Sequence, residues 1–254
     1  KNSDYGAMWM LAKLTDDPRL TQKRLPNALN FKLMQQHAEE DFLCGSSAGQ
    51  YYLYKSKRFT EEWGPYTEPI ATTYYMLMDM GNILLFEPQQ KELKQHVKLA
   101  ADRLLEWMKP NGQWEVAYEN KTLKPTFTDI TDLRPTFYGL LIAYEILKDK
   151  KYLQAAIQGA DWYVENAVKK GHFLGVCGDT RFVPDFATAQ SAQALLELYN
   201  VTKNEKYKEA AISTAKIYTA SVYTHPIPTS VVKQVKGIEL SLIHISEPTR
   251  HSLI

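Results

Sequence analysis

Acidic and aromatic side chains recur in four stretches of the sequence that read as loops between helices. The candidate catalytic carboxylates in these stretches are Glu68, Asp129, Asp132 and Asp185. The candidate substrate-binding residues are Trp63, Tyr66, Trp114, His172, Arg134, Arg181 and His225. Carboxylates bind hydroxyl groups and act as general acids or bases, and aromatic rings can stack on the apolar face of a pyranose ring. Together these residue types predict a site for sugars.

The densest of these stretches runs from residue 61 to residue 69 and places two aromatic residues and three carboxylates around a Gly-Pro turn. It also precedes a predicted helix, where acidic residues are favoured by the helix dipole, so a purely structural role stays open. A second stretch, 128–134, carries Asp129 and Asp132 three positions apart, which suits either a shared site or helix capping. Asp185 directly precedes a helix and is a natural N-cap.

Histidine and cysteine give weaker signals. His172 and His225 occupy corresponding loops and are the better acid–base candidates, although a lone loop histidine is often structural. The two cysteines are too few for a disulfide scaffold or a four-cysteine zinc site. No loop has the spacing of an EF-hand. We therefore expect no cofactor and assign no metal ligands, although a carboxylate-lined loop cluster could hold Ca²⁺.

The elements that must position these residues form a repeat. The stretch 151–157 parallels 206–212, and helical spacing of apolar residues dominates the sequence. Amphipathic helices, each with one wet face, are predicted at 90–108, 150–169 and 204–222. Nearly uncharged helices, which must be buried, are predicted at 67–86, 135–148 and 186–200. The sequence therefore predicts alternating inner and outer helices.

The connections between these helices alternate between short and long. Every second connection in a series of antiparallel hairpins lies at the same end, so the long loops gather on one face. This arrangement resembles the (α/α) toroid of the six-hairpin glycosidase superfamily, over most of residues 20–230. The resemblance implies an all-α fold of helical hairpin repeats, a partial toroid with about four of the six hairpins. Three hairpins are clear, and a probable fourth begins at Asn27–Leu43.

The resemblance implies a carbohydrate-active enzyme, in first place a glycoside hydrolase acting on poly- or oligosaccharides through a pair of loop carboxylates. The pair would join Asp129 or Asp132 to Asp185 or Glu68. A polysaccharide lyase on the same scaffold would instead use Tyr66, His172 or His225 as the base and Arg134 or Arg181 to neutralise a uronate. A sugar epimerase and a noncatalytic helical-repeat binding protein remain alternatives.

Composition and chain ends set further limits. The 254 residues carry a net charge of +1, with 44% hydrophobic and 23% charged residues, which excludes a disordered chain and a basic nucleic-acid binder. No apolar stretch suggests a membrane span. The chain begins with Lys1, and residues 241–250 resemble a translated sequencing adapter. We therefore expect a truncated toroid over 1–238 and an artefactual tail over 239–254, with the cellular compartment left open.

Overall fold

The computed structural model describes residues 5–47, 49, 51–60, 65–175 and 185–221, and the backbone of 233–235 and 238–240. Helices dominate the described part of the chain. Their bounds are α1 (Tyr5–Thr15), α2 (Leu25–Met34), α3 (Pro69–Phe86), α4 (Lys91–Glu106), α5 (Phe137–Leu147), α6 (Lys150–Tyr163), α7 (Phe186–Thr202) and α8 (Glu205–Ser221). Short π-helical turns at Leu20–Arg24 and Val164–Val168 adjoin α2 and α6. None of the helices within these ranges is long and apolar enough to span a membrane.

Short strands in the segments outside the helices pair into small antiparallel sheets. The antiparallel pair β1 (Tyr51–Leu53) and β2 (Arg58–Thr60) forms a hairpin before α3. A three-stranded antiparallel sheet joins β3 (Tyr66–Thr67), β4 (Ala117–Glu119) and β5 (Pro125–Thr126). A further hairpin pairs β6 (Lys233–Val235) with β7 (Ile238–Leu240). Because β3 leads into α3 while β4 and β5 lie in the loop before α5, the three-stranded sheet holds these two loops side by side.

The predicted alternation of inner and outer helices is confirmed. α3 and α5 are buried over most of their length, and α7 buries 7 of its 17 residues. α3 packs against α5, and α5 packs against α7. α4 buries one face and exposes the other. Each outer helix packs against the inner helix that precedes it, so α3–α4, α5–α6 and α7–α8 are hairpins. These hairpins form the partial (α/α) toroid that the sequence pattern predicts.

The N-terminal hairpin differs from the prediction. A helix was expected over Asn27–Leu43, but α2 ends at Met34. Residues 35–47 instead form turns around an isolated bridge between Gln36 and Ser47. Gly45, with a φ of 82°, supplies a left-handed conformation that a helix does not contain. α1, which packs against α2 and α3, completes this hairpin but was missed. The division at residue 238 stays a prediction, and 241–254 lie outside the described residues.

The sequence repeat at 151–157 and 206–212 has a structural cause. Tyr152 donates a hydrogen bond to Asp102 Oδ1 at 2.7 Å, and Lys151 Nζ lies 2.7 Å from the same oxygen. One hairpin later, Tyr207 and Lys206 make the same contacts with Asp161, at 2.5 and 2.6 Å. α6 and α8 thus each anchor their first turn to a carboxylate on the preceding outer helix.

Removing one of these anchors should weaken the toroid measurably. We expect Tyr152→Phe to lower the free energy of unfolding by about 1 kcal/mol, because it leaves Asp102 without one of its hydrogen bonds. Tyr207→Phe should have a similar effect, since its contacts repeat those of Tyr152. Chemical denaturation of both variants measures this, with Tyr54→Phe, 85% exposed, as the control. Equal midpoints for Tyr152→Phe and Tyr54→Phe would contradict the assigned role.

Candidate active site

A buried cluster of charges lies directly before the inner helices α3 and α5. Arg134 Nε donates to Asp132 Oδ1 at 2.8 Å, and Arg134 Nη2 donates to Asp132 Oδ2 at 3.2 Å. Arg134 Nη1 donates to Glu68 Oε2, and Nη2 donates to the Val116 carbonyl at 2.9 Å. The Arg134 side chain is 0% exposed. One guanidinium therefore holds two predicted catalytic carboxylates together.

Burial dominates the electrostatics of this cluster. It raises the pKa of Asp132 even though Arg134 acts in the opposite direction. Burial alone would lower the pKa of Arg134, but Asp132 and Glu68 raise it, so the guanidinium stays charged. Two carboxylates against one guanidinium leave an excess negative charge when both are ionised.

A third predicted carboxylate begins the next inner helix. Asp185 is the N-cap of α7, and its Oδ1 accepts a hydrogen bond from the Ala187 backbone N–H at 2.8 Å. It is half-buried. The charges of Asp185 and Asp132 both act on Tyr75, whose pKa is raised chiefly by burial. Tyr75 therefore lies within electrostatic range of both the buried cluster and the start of α7.

A cavity of about 1210 Å³ runs along the inner helices. Its walls come from α2, α3, α5 and α7, and Tyr75, Phe186 and Gln190 line it in the first halves of α3 and α7. Glu68, Asp132 and Asp185 are not among the residues that line it. Each inner helix carries a single charged residue, and all three of these residues are acidic and line the cavity. They are Asp79 on α3, Glu145 on α5 and Glu197 on α7. The cavity wall thus combines carboxylates with aromatic rings.

Solved structures place this architecture among known folds. The GH76 α-mannanase of Bacteroides thetaiotaomicron aligns with a TM-score of 0.57 and 19% identity, over 87% of this chain and 62% of that one. The cellobiose 2-epimerase of Bacillus thermoamylovorans aligns with a TM-score of 0.59 and 15% identity, over 84% and 57% of the two chains. An unsaturated glucuronyl hydrolase specific for heparin aligns with a TM-score of 0.56 and 18% identity, over 93% of this chain and 65% of that one. These solved structures share the (α/α) toroid fold with this chain.

Sequence comparisons are more limited. Residues 134–226 match the model of Glycosyl Hydrolase Family 88, which covers less than half of the chain. No curated protein gives a significant match to the sequence. The chain spans less than two thirds of each of the three solved structures described above. These findings establish the toroid fold that the sequence resemblance implied.

The three carboxylates that line this cavity, the lumen of the partial toroid, were missed by the sequence reasoning: Asp79, Glu145 and Glu197. Tyr138 donates a hydrogen bond to Glu197 Oε1 at 2.9 Å, and Gln193 Nε2 donates to the same oxygen at 2.9 Å. Partial burial and the nearby charge of Glu197 raise the pKa of Glu145. These residues lie on inner helices, whereas the candidates named from the sequence lie in loops. A single acidic residue within an otherwise uncharged helix is the signal that would have found them.

Three other predicted residues lie apart from the charged cluster. Asp129 is exposed in the loop before α5, and His172 is exposed after α6. Trp114 is 5% exposed, and its indole N–H donates to the Leu104 carbonyl at 2.8 Å. The Trp114 ring packs so closely on Gly159 that a Cβ there would lie 2.9 Å from it. Trp114 is therefore part of the packing between loop and helix, with no ring face open to a ligand.

The remaining predicted residues divide between the sheet and the undescribed segments. Tyr66 lies on β3 and packs edge to face on Phe127, with ring centroids 4.7 Å apart. Trp63, Arg181 and His225 lie outside the described residues. Their predicted roles in binding remain predictions.

One group of side chains in the described ranges has the composition of a metal site. His37, Glu39 and Asp41 place ligand atoms within 4.8 Å of one another in the turns after α2. His37 Nε2 lies 3.2 Å from Asp41 Oδ2. Glu39 and Asp41 are exposed, and this contact is the ordinary interaction of a surface histidine with a carboxylate. The group is separate from the lumen that carries the candidate site.

Proposed function

We propose that the protein is a carbohydrate-active enzyme, and specifically a glycoside hydrolase that cleaves oligo- or polysaccharides. The observation that carries the proposal is the position of Glu68, Asp132 and Asp185, each just before one of three successive inner helices. Those helix starts lie at one end of a lumen that is large enough for a sugar chain and lined by aromatic and acidic side chains. Sites that bind small polar ligands typically combine these features.

The chemistry requires one carboxyl group that holds a proton and one that is ionised. Asp132 suits the first role, because burial raises its pKa. We assign the second role to Asp185 because it precedes Phe186, which lines the lumen. Glu68 and Arg134 hold Asp132 in place. The proposal therefore pairs Asp132 with Asp185, one of the combinations that the sequence analysis favours.

The described residues beside the charged cluster favour hydrolysis over elimination, while Arg181 and His225, two of the residues named for a lyase, lie outside the described residues. A lyase needs a basic tyrosine or histidine and a cation free to neutralise a uronate. Burial raises the pKa of both Tyr74 and Tyr75, so these phenols are hydrogen-bond donors rather than bases. Arg134 is fully buried and already bonded to Asp132, Glu68 and Val116. Arg134 is therefore better suited to positioning Asp132 than to binding an acidic sugar.

Product analysis tests the proposal directly. The substrates are chosen from the activities named for the three structural neighbours: mannan oligosaccharides, cellobiose and an unsaturated glucuronyl disaccharide. Hydrolysis would release a new reducing end without a new C=C bond. A new C=C bond would show a lyase, and conversion to an isomer without cleavage would show an epimerase. Binding without any conversion, or no interaction with these sugars, would contradict the hydrolase proposal.

A further inference from the structure

An aromatic ring stands exposed at the mouth of the lumen. Phe186 is the first residue of α7, follows Asp185 directly and is 58% exposed. It also lines the cavity. Exposing a large apolar ring to water is unfavourable, and its position at the start of a helix gives the ring a fixed place. Such a residue beside a polar pocket indicates a surface that binds a ligand with an apolar face.

The back of this ring is supported by a second aromatic ring. Tyr75 lies nearly parallel to Phe186, with centroids 5.9 Å apart and an interplanar angle of 23°. Tyr75 in turn contacts Tyr74, with centroids 4.2 Å apart. Tyr74 is fully buried within the core. The three rings connect the exposed face of Phe186 to rigid packing, so the ring can bind a ligand with little loss of side-chain freedom.

Polar groups surround the supported ring. Asp185 precedes it, and Gln190 lines the cavity one helical turn along α7. Gln190 Oε1 receives only a long hydrogen bond, 3.5 Å, from Tyr74. The Tyr75 hydroxyl is buried close to the hydroxyl of Tyr74. An apolar face bordered by hydrogen-bonding groups matches a pyranose ring, which has C–H groups on its face and hydroxyls at its edge.

We propose that Phe186, supported by Tyr75, is a stacking platform for the C–H face of a pyranose ring in the substrate. A sugar on this platform lies beside Asp185, so stacking places the bond to be cleaved near the carboxylate. The platform is a binding element, and its loss acts on the dissociation constant rather than on bond cleavage. The inference rests on the proposed function, since it assigns the ligand of the same site.

The chain offers a matched control on the same helix. Leu196 also lies on α7 and is 47% exposed, but it does not line the cavity. Leu196→Ala therefore removes exposed apolar surface without touching the platform. Phe186→Trp keeps an aromatic face at the mouth of the lumen. Neither Phe186→Ala nor Leu196→Ala creates a buried cavity, so both variants should fold.

Calorimetric titration with cellobiose, a mannan oligosaccharide and an unsaturated glucuronyl disaccharide tests the platform. For the sugars that bind the wild-type protein, Phe186→Ala should weaken binding by about tenfold or more. Phe186→Trp should stay within about threefold of the wild-type value, and Leu196→Ala should leave binding unchanged. Equal binding by Phe186→Ala and Leu196→Ala would overturn the inference, as would a wild-type protein that binds none of the three sugars.

The same titration separates this inference from the proposed function. Asp185→Asn should bind these sugars like the wild-type protein while losing cleavage. If Asp185→Asn cleaves normally and Phe186→Ala fails to bind, the platform stands and the catalytic assignment is wrong. If Asp185→Asn loses cleavage and Phe186→Ala binds normally, the catalytic assignment stands and the platform is wrong.

Discussion

Asp185→Asn is expected to lower the rate of glycosidic bond cleavage by about 10²–10⁴-fold, the usual contribution of a general acid or base. The substitution removes the charge but keeps the shape of the side chain. Asparagine caps a helix about as well as aspartate, so the hydrogen bond to the Ala187 N–H should survive. The free energy of unfolding should therefore change little. Steady-state kinetics and chemical denaturation of the same variant measure the two effects.

Asp149→Asn is the matched control for this prediction. Asp149 is the N-cap of the outer helix α6 and accepts a hydrogen bond from the Lys151 N–H at 3.0 Å, as Asp185 does from Ala187. It lies in the short connection between α5 and α6, at the other end of the hairpin from the charged cluster. Asp149→Asn should cleave at the wild-type rate. Equal rates for the two variants would show that Asp185 is only a helix cap.

Arg134→Met is expected to lower the free energy of unfolding by about 3–5 kcal/mol. Methionine fills much of the space of the arginine stem but cannot bind Asp132 or Glu68. Both carboxylates are buried, so each would lose its charged partner without gaining water. Breaking a buried ion pair in this way is among the most destabilising single changes in a protein. Chemical denaturation near neutral pH measures the loss.

The loss of unfolding free energy in Arg134→Met should depend on pH in a defined direction. Burial raises the pKa of Asp132, so the folded state binds this proton more tightly than the unfolded chain does. Such a group favours folding below its ordinary pKa of 3.8, and this contribution is lost as the pH rises through the folded value. Arg134 lowers the pKa of Asp132, so Arg134→Met raises it further. The variant should therefore be closer in stability to the wild-type protein at about pH 5 than at about pH 7.

Two further variants test whether burial and unpaired charge cause the loss of stability in Arg134→Met. Arg19 and Asp17 have the same sequence spacing as Arg134 and Asp132, and Arg19 also contacts both oxygens of its aspartate. The Arg19 side chain is 85% exposed, so Arg19→Met should have little effect. Adding Glu68→Gln to Arg134→Met should recover part of the lost stability, since it removes one unpaired charge. A similar loss in Arg19→Met and Arg134→Met would contradict the role of burial.

The fold could be predicted because its main signal is the distribution of charge along helices. α3 contains one charged residue, Asp79, and α4 has a charged face opposite a buried one. Those patterns predicted inner and outer helices with bounds within a few residues of the structure. α1 was missed because packing against α3, rather than a strong amphipathic pattern, determines its place. The end of α2 depends on turns at 35–47, which periodicity does not detect.

The candidate site could be predicted only in outline. The sequence places Glu68, Asp132 and Asp185 before inner helices, and the structure brings these helix starts to one end of the lumen. The sequence does not indicate which carboxylates share a partner, because Arg134 contacts Glu68 across 66 positions of the chain. Nor does it show that Trp114 is buried, since that depends on the close approach of Gly159. Contacts between distant segments therefore decide the roles of individual residues.

The central claim is that a sugar binds in the lumen with a glycosidic bond beside Asp185. A crystal structure of the Asp185→Asn variant with one of the oligosaccharides that the wild-type protein cleaves tests it most directly. The account predicts one pyranose ring stacked on Phe186 and a glycosidic oxygen or anomeric carbon next to the side chain at position 185. A sugar bound outside the lumen, or bound within it with its glycosidic bonds far from position 185, would contradict the account.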